Sequence, residues 1–287
     1  MFGLLNLHKP IGITSRDAVN VVARLVRPAK VGHAGTLDPL AEGVLVIGIG
    51  PATRLVEYVQ QMEKRYRGEF LLGRESDTED VEGQVTELID PPIPSREELE
   101  AAVRAFVGVI EQRPPQYSAL KVSGRPAYEL ARRGQTVELA ARPVTIHELT
   151  IVDYAYPRVV LEVRCGSGTY IRSLGRDIAA SLGTAAVMAA LVRTAIGPFT
   201  LANAIKVDAL TAATLPPALL PPALALADMP SRTLDAAELV EIAAGRTIAA
   251  EPNVQAEEIA ALDAAGNLRA ILVPRGVNQL GPNRVFQ

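Results

Sequence analysis

The sequence predicts an α+β fold in two parts, and three observations carry that prediction. Apolar stretches of period two and of helical period both recur along the 287 residues, without the regular strand–helix cycle of a parallel sheet. Hydrophobic residues make up 48% and charged residues 21%, which fits a chain that buries a core and argues against disorder. Beyond residue 227 short strand-like pieces take over, so a larger unit at 1–227 is followed by a small, mostly β unit at 228–287.

Taken in order, "FGLLNLH" reads as a strand and "KPIGITS" as a turn. Thr14 or Ser15 caps a helix over "RDAVNVVARLVR", whose apolar residues fall at helical spacing. The glycine-rich stretch "GHAGTLDPLAEGVL" (32–45) leads into "GVLVIGIG", a buried strand. "TRLVEYVQQM" has the pattern of a helix, "KRYRGEFLLG" that of a strand, and "RESDTEDVEGQ" that of an acidic loop. Ser95 and Glu98 frame the Ser-x-x-Glu start of the helix in "SREELEAAVRAF". Residues 112–143, rich in Pro, Gly and Arg and weak in periodicity, read as an arm inserted into the fold. "VTIHELTIVDY" and "RVVLEVRC" pair as strands, and "GSGTYIRSLGRDIAASLG" turns from a glycine loop into an amphipathic helix. In the tail, "LRAILVP" is a further strand.

Several classes are disfavoured. The single cysteine, Cys165, rules out an internal disulfide framework and a thiolate-rich zinc site; it reads as a small apolar strand residue. The uncharged stretch 209–227, "ALTAATLPPALLPPALALA", holds two Pro-Pro pairs that would break a spanning helix, so it is expected to pack or link. "MFGLLNLHKP" lacks the features of a secretory signal, which makes a cytoplasmic protein the expectation. Net charge is −3, yet segments 1–68, 112–145 and 164–193 carry +4, +4 and +3, against −8 over 73–111 and −3 over 228–287. The basic segments could converge on one surface with the acidic ones facing away; a mixed solvated surface is the plainer alternative.

Within "GHAGTLDPLAEGVL" a lone Asp38 stands before Pro39, with no ligand-spaced His or Cys. Aspartate before proline suits a helix N-cap, so Asp38 capping a short helical turn "PLAEG" is the simple reading. The chemical reading makes Asp38 a covalent nucleophile in a glycine-opened site, which then needs a cation to orient it. Arg172, in the first turn of the helix after "GSGTY", is a candidate.

"HKPIGITS", "GHAGTLDPLAEGVLVIGIG", "KRY" followed by "LG", "YSALK" and "GTYIRSLGRDI", in this order, resemble the TruB family of tRNA pseudouridine synthases through about residue 200. The resemblance implies a catalytic domain at 1–227 with a mixed, largely antiparallel central sheet, and a short PUA-like domain at 228–287. It implies conversion of uridine 55 in the tRNA T-loop to pseudouridine, without cofactor or metal and with no obligate protein partner. The target base must leave its stack. In that reaction the N1–C1′ bond breaks, the base turns while bound, and C5 joins C1′. No hydrolytic water is wanted, which removes the need for a second carboxylate.

Residue by residue, the resemblance makes Asp38 the nucleophile and Arg172 its partner. Tyr66 of "KRY" stacks on the base and is a candidate for handling the C5 proton. Tyr170 packs beneath the pocket, Leu191 supplies an apolar wall, and His33 contacts the target nucleotide. Lys9 and Pro10 support the active-site loop, while His8 stands where the family commonly has aspartate. Lys121, Arg125, Arg132 and Arg133 lie in the family's clamping insertion and are candidates for phosphate contact. Two other classes compete: a non-catalytic tRNA-binding or folding module, and a retaining glycosidase, for which Glu42 is the only nearby second acid.

Overall fold

In the computed structural model, which describes residues 1–117, 120–122, 125–126, 139–250 and 256–286, an eleven-stranded sheet carries the first part of the chain. Its main members are β1 (Gly3–Lys9), β2 (Val31–His33), β3 (Ala41–Ile49), β4 (Lys64–Leu72), β5 (Gly108–Gln112), β6 (Arg142–Ala155), β7 (Arg158–Cys165) and β8 (Ala186–Ile196). Against it lie α1 (Ser15–Val26), α2 (Val56–Gln61), α3 (Arg96–Ala105) and α4 (Ile171–Ser181). The strand order is Ile205–Lys206, β1, β3, β8, β4, β7, β6, β5, with β2 beside β3. Only β3–β8 and β1 with Ile205–Lys206 run parallel along this path, so the sheet is mixed and largely antiparallel.

Local chemistry sets the element starts. Thr14 opens α1: its Oγ1 accepts the Asp17 N–H at 3.1 Å while the Asp17 carboxylate accepts the Thr14 N–H at 3.0 Å. Ser95 and Glu98 form the same reciprocal pair at α3. Along β4 burial alternates strictly, which puts Lys64, Tyr66, Gly68, Phe70 and Leu72 on the inner face.

Some expectations change. "PLAEG" forms no helical turn: the Asp38 carbonyl accepts the Ala41 N–H at 3.1 Å, and Ala41 then joins β3 opposite Leu191 of β8. The parallel pairing with β8 captures the backbone that a helix would have used. The expected helix at 53–62 divides, because Pro51 starts a 3-10 turn over Gly50–Leu55 and α2 follows it. Of the stretch expected as an arm, Gln112, Arg142 and Pro143 belong to the sheet, with Gln112 and Arg142 paired across β5 and β6; most of what lies between them is outside the described residues. "AVMAALVRTAI", read as no element, is the central strand β8; register shifts at Met188/Ala190 and Arg193/Ala195 interrupt its alternation, and one of its buried positions is the charged Arg193, so no clean apolar period shows. In the Ala/Pro/Leu stretch Leu215, Ala225 and Leu226 are buried and Leu219–Leu220 pairs with β1. Among the described residues no helix is long and apolar enough to cross a membrane.

The last part is a five-stranded sheet in the order Ser231–Thr233, Ile259–Leu262, Leu268–Pro274, Gln279–Val285, Ile248–Ala249. Helix α5 (Ala236–Ala243), capped by Asp235, closes its core through Ile242. Phe286 of this part stacks on Phe2 at 5.6 Å between ring centroids, and Tyr58 donates to Glu258 at 2.8 Å.

α4 packs on β4 through a glycine. A Cβ on Gly175 would stand 2.1 Å from the Phe70 ring, which is 1% exposed. Gly175→Ala is therefore expected to lower stability by about 1–3 kcal/mol through overpacking, outweighing the ~1 kcal/mol that alanine gains in a helix. A denaturant midpoint at or above wild type would refute this.

Candidate active site

Asp38 ends a loop that is held at several points. Ser15, buried at the start of α1, accepts the Leu37 N–H at 2.8 Å and donates to the Leu37 carbonyl at 3.1 Å. The Gly12 N–H donates to the Pro39 carbonyl at 2.8 Å. From β8 the buried Arg193 reaches the Val44 carbonyl at 2.8 Å and the Gly35 carbonyl at 3.1 Å. Lys9, fully buried, shapes the preceding turn by donating to Pro10 and Ile13 carbonyls at 2.8 and 2.7 Å. Burial lowers its pKa to about 8, with Asp38 pulling the other way. Ser15→Ala would leave the Leu37 N–H and carbonyl unpaired inside the protein, a loss of about 1–3 kcal/mol. Thermal unfolding should register it as a drop of ~2–4 °C per kcal/mol, and an unchanged Tm would show that the clip is dispensable.

Arg172 meets this loop from the first turn of α4. Its Nη2 lies 3.0 Å from Asp38 Oδ2 and 2.9 Å from the Tyr117 carbonyl; its Nη1 lies 2.7 Å from the Thr78 carbonyl and 3.3 Å from Asp80 Oδ2. Four acceptors thus lie round one planar fork and fix its position and plane. The guanidinium is 7% exposed, whereas the Asp38 side chain is 37% exposed and opens to a cavity.

That cavity has a volume of about 350 Å³, at the small end for ligand sites. Its lining includes Thr36, Asp38, Lys64, Tyr66, Arg142, the loop Gly166–Tyr170, Arg172, Leu191 and Arg193. Four cations face it against one carboxylate, which favours an anionic ligand. Tyr66 is buried and bonded to Arg193; burial raises its pKa, so the phenol stays neutral at ordinary pH. Lys64 donates to the Gln60 and Met62 carbonyls at the end of α2, and burial lowers its pKa to about 8. Among the described residues no three His, Cys, Asp or Glu side chains converge as metal ligands would. Cys165 is buried at the end of β7, its thiol pushed up to about 11 by burial.

Of the residues singled out in the sequence, the structure brings Asp38, Tyr66, Tyr170, Arg172 and Leu191 together on one cavity. His33 stands outside this lining: its backbone pairs with Ile47, and β2 ends before the loop turns in at Gly35. Burial lowers the pKa of His33, and its Nδ1 has no hydrogen-bond partner among the described residues. Lys121 and Arg125 lie in two short paired strands whose side chains are outside the described residues, as are Arg132 and Arg133 altogether. Glu42 is occupied by His8 at 3.2 Å and does not line the cavity.

The nearby second acid is instead Asp80, 3% exposed and turned onto Arg172. With Glu79, which binds Ser173 and Arg176, it brings this part of the acidic segment 73–111 against α4. Nothing in the loop "RESDTEDVEGQ" marks Asp80 apart from its neighbours. Arg193 and Lys64 were within reach of period-two reasoning, each two residues from a singled-out strand residue on the same face.

Residues 23–171 match the family described as TruB family pseudouridylate synthase (N terminal domain). The tRNA pseudouridine synthase B of Bradyrhizobium diazoefficiens is 50% identical over 211 residues, which is 73% of this chain and 61% of that protein. That of Xanthomonas campestris pv. campestris (strain 8004) is 40% identical over 291 residues, spanning 100% of this chain and 94% of its own. In fold, the chain is similar to one from a solved Cbf5–Nop10–Gar1 complex, with a TM-score of 0.76 at 23% identity, covering 100% of this chain and 85% of that one. A match over more than half of the chain, and a relative matched along nearly its whole length, place this protein in the TruB family of pseudouridylate synthases, which are isomerases.

Proposed function

We propose that this protein converts uridine to pseudouridine at position 55 of the tRNA T-loop, with Asp38 as nucleophile on a base turned out of the loop. The observation that carries the reading is the Asp38–Arg172 pair at 3.0 Å, on a cavity walled by Tyr66, Tyr170 and Leu191. Names of the relatives support tRNA as substrate. Arg172 takes Asp38 Oδ2 and aims the carboxylate at the reacting nucleotide. Leu191 and Tyr66 offer the apolar edge and aromatic face that a splayed base packs on. After C5 has joined C1′, the Tyr66 hydroxyl can relay the C5 proton to water, taking it up as its own O–H proton leaves. Arg142, half-buried on the cavity lining, suits a flanking phosphate.

On the same reading, residues 1–227 form the catalytic domain and 228–287 a PUA-like domain. Lys121, Arg125, Arg132 and Arg133 grip the T-loop backbone, and His33 props the flipped nucleotide. A T-stem-loop RNA tritiated at uridine C5 tests the function: the protein should release tritium stoichiometrically with the target uridine, and not from an RNA carrying cytidine there. Tight binding without release would point to the tRNA-folding module instead.

A further inference from the structure

We propose that Gln112 is a positioning residue of this site: its carboxamide holds the peptide of Tyr170 and so sets the place from which Arg172 meets Asp38. The inference rests on the isomerase reading above. Gln112 is 1% exposed at the end of β5. Its Oε1 accepts the Tyr170 N–H at 2.8 Å, and its Nε2 donates to the Tyr170 carbonyl at 3.0 Å.

Tyr170 is where the glycine loop becomes α4. Its backbone is extended, at φ −99° and ψ 113°, and no side chain caps the helix there. One residue therefore offers an N–H and a carbonyl side by side, and the amide of Gln112 gives the N–H its partner and the carbonyl a second one. The same carbonyl also accepts the Leu174 N–H at 3.0 Å, so the Gln112 bond fixes the first turn that carries Arg172. Arg142, opposite Gln112 in the β5–β6 register, donates to the Gly168 carbonyl at 2.8 Å and lies 5.1 Å over the Tyr170 ring. Two paired residues on adjacent strands thus grip one loop of the cavity.

Only a carboxamide of this length fits. Glutamate loses the donor and turns a second acceptor toward the Tyr170 carbonyl; methionine keeps the length and loses both groups; asparagine keeps both, one methylene short. Because a displacement of ~1 Å at a reacting pair can cost 100-fold in rate, Gln112→Met should lower kcat about 10- to 100-fold on the T-stem-loop RNA. KM should stay within about twofold of wild type, since no cation of the cavity is removed. Gln112→Asn should recover part of the rate. Hydrogen exchange followed by mass spectrometry should quicken over 166–174 in Gln112→Met and stay unchanged elsewhere.

A wild-type kcat per folded molecule, a rise in KM alone, or unaltered exchange at 166–174 would overturn the proposal. Loosening throughout the protein, in both variants and with kcat per folded molecule preserved, would make Gln112 a purely structural residue and overturn it too. If wild type itself released no tritium, the isomerase reading would fail, while the exchange experiment would still decide whether Gln112 holds the loop.

Discussion

Replacing Asp38 by asparagine is expected to abolish tritium release while leaving the fold and the RNA affinity close to wild type. Asparagine keeps the size and one acceptor oxygen, so the Arg172 Nη2 bond at 3.0 Å can persist in neutral form. The other three acceptors on that guanidinium, Asp80 and the Thr78 and Tyr117 carbonyls, are untouched. With the Asp38 side chain 37% exposed, the lost charge pairing should change stability by no more than about 1 kcal/mol. Turnover is another matter. An amide oxygen is a poor nucleophile, and with Asp38 in the role proposed above its loss costs ~10⁴-fold or more in kcat. Single-turnover tritium release and a filter-binding Kd measured on the same preparation separate the two effects. Release within tenfold of wild type would remove Asp38 from the chemistry; a large fall in Tm would mean that its carboxylate is structural.

The elements that frame this site were legible where local physics fixes them. Thr14, Ser95 and the alternation along β4 each act within a few residues, and the sequence carries their signal directly. β8 was not legible, because two register shifts break its alternation and a buried position holds the charged Arg193, so the sequence displays no apolar period there. Asp38 stood out through its motif, yet the motif's apparent helical cap gave way to strand pairing of Ala41 with Leu191, a contact between residues 150 positions apart. The same distance hid Asp80, Gln112 and Ser15. Their roles are set by which backbone or guanidinium they meet, and no spacing along the chain announces that. His33 shows the converse: a residue chosen for its motif is held by β2 outside the lining of the cavity.

Arg172→Lys is expected to fail differently from the Asp38 variant, losing both stability and turnover. The guanidinium satisfies Asp38, Asp80 and two carbonyls from two nitrogens spread across a plane. A lysine ammonium is a single point and can serve one side of that arrangement. If it reaches Asp38, Asp80 stays 3% exposed without its cation; if it reaches Asp80, Asp38 loses its guide. Breaking a buried pair in this way costs about 3 kcal/mol, which at ~2–4 °C per kcal/mol lowers Tm by roughly 6–12 °C. The misplaced carboxylate should reduce kcat ~100-fold or more. The double variant Arg172→Lys/Asp80→Asn separates the causes. With the buried charge removed, much of the lost stability should return, but kcat should not, because Asp38 still faces a cation of the wrong shape. Recovery of both together would show that Asp80 alone sets the geometry at Asp38, and an Arg172→Lys protein as stable as wild type would show that the fork's four contacts are not what holds the loop to α4.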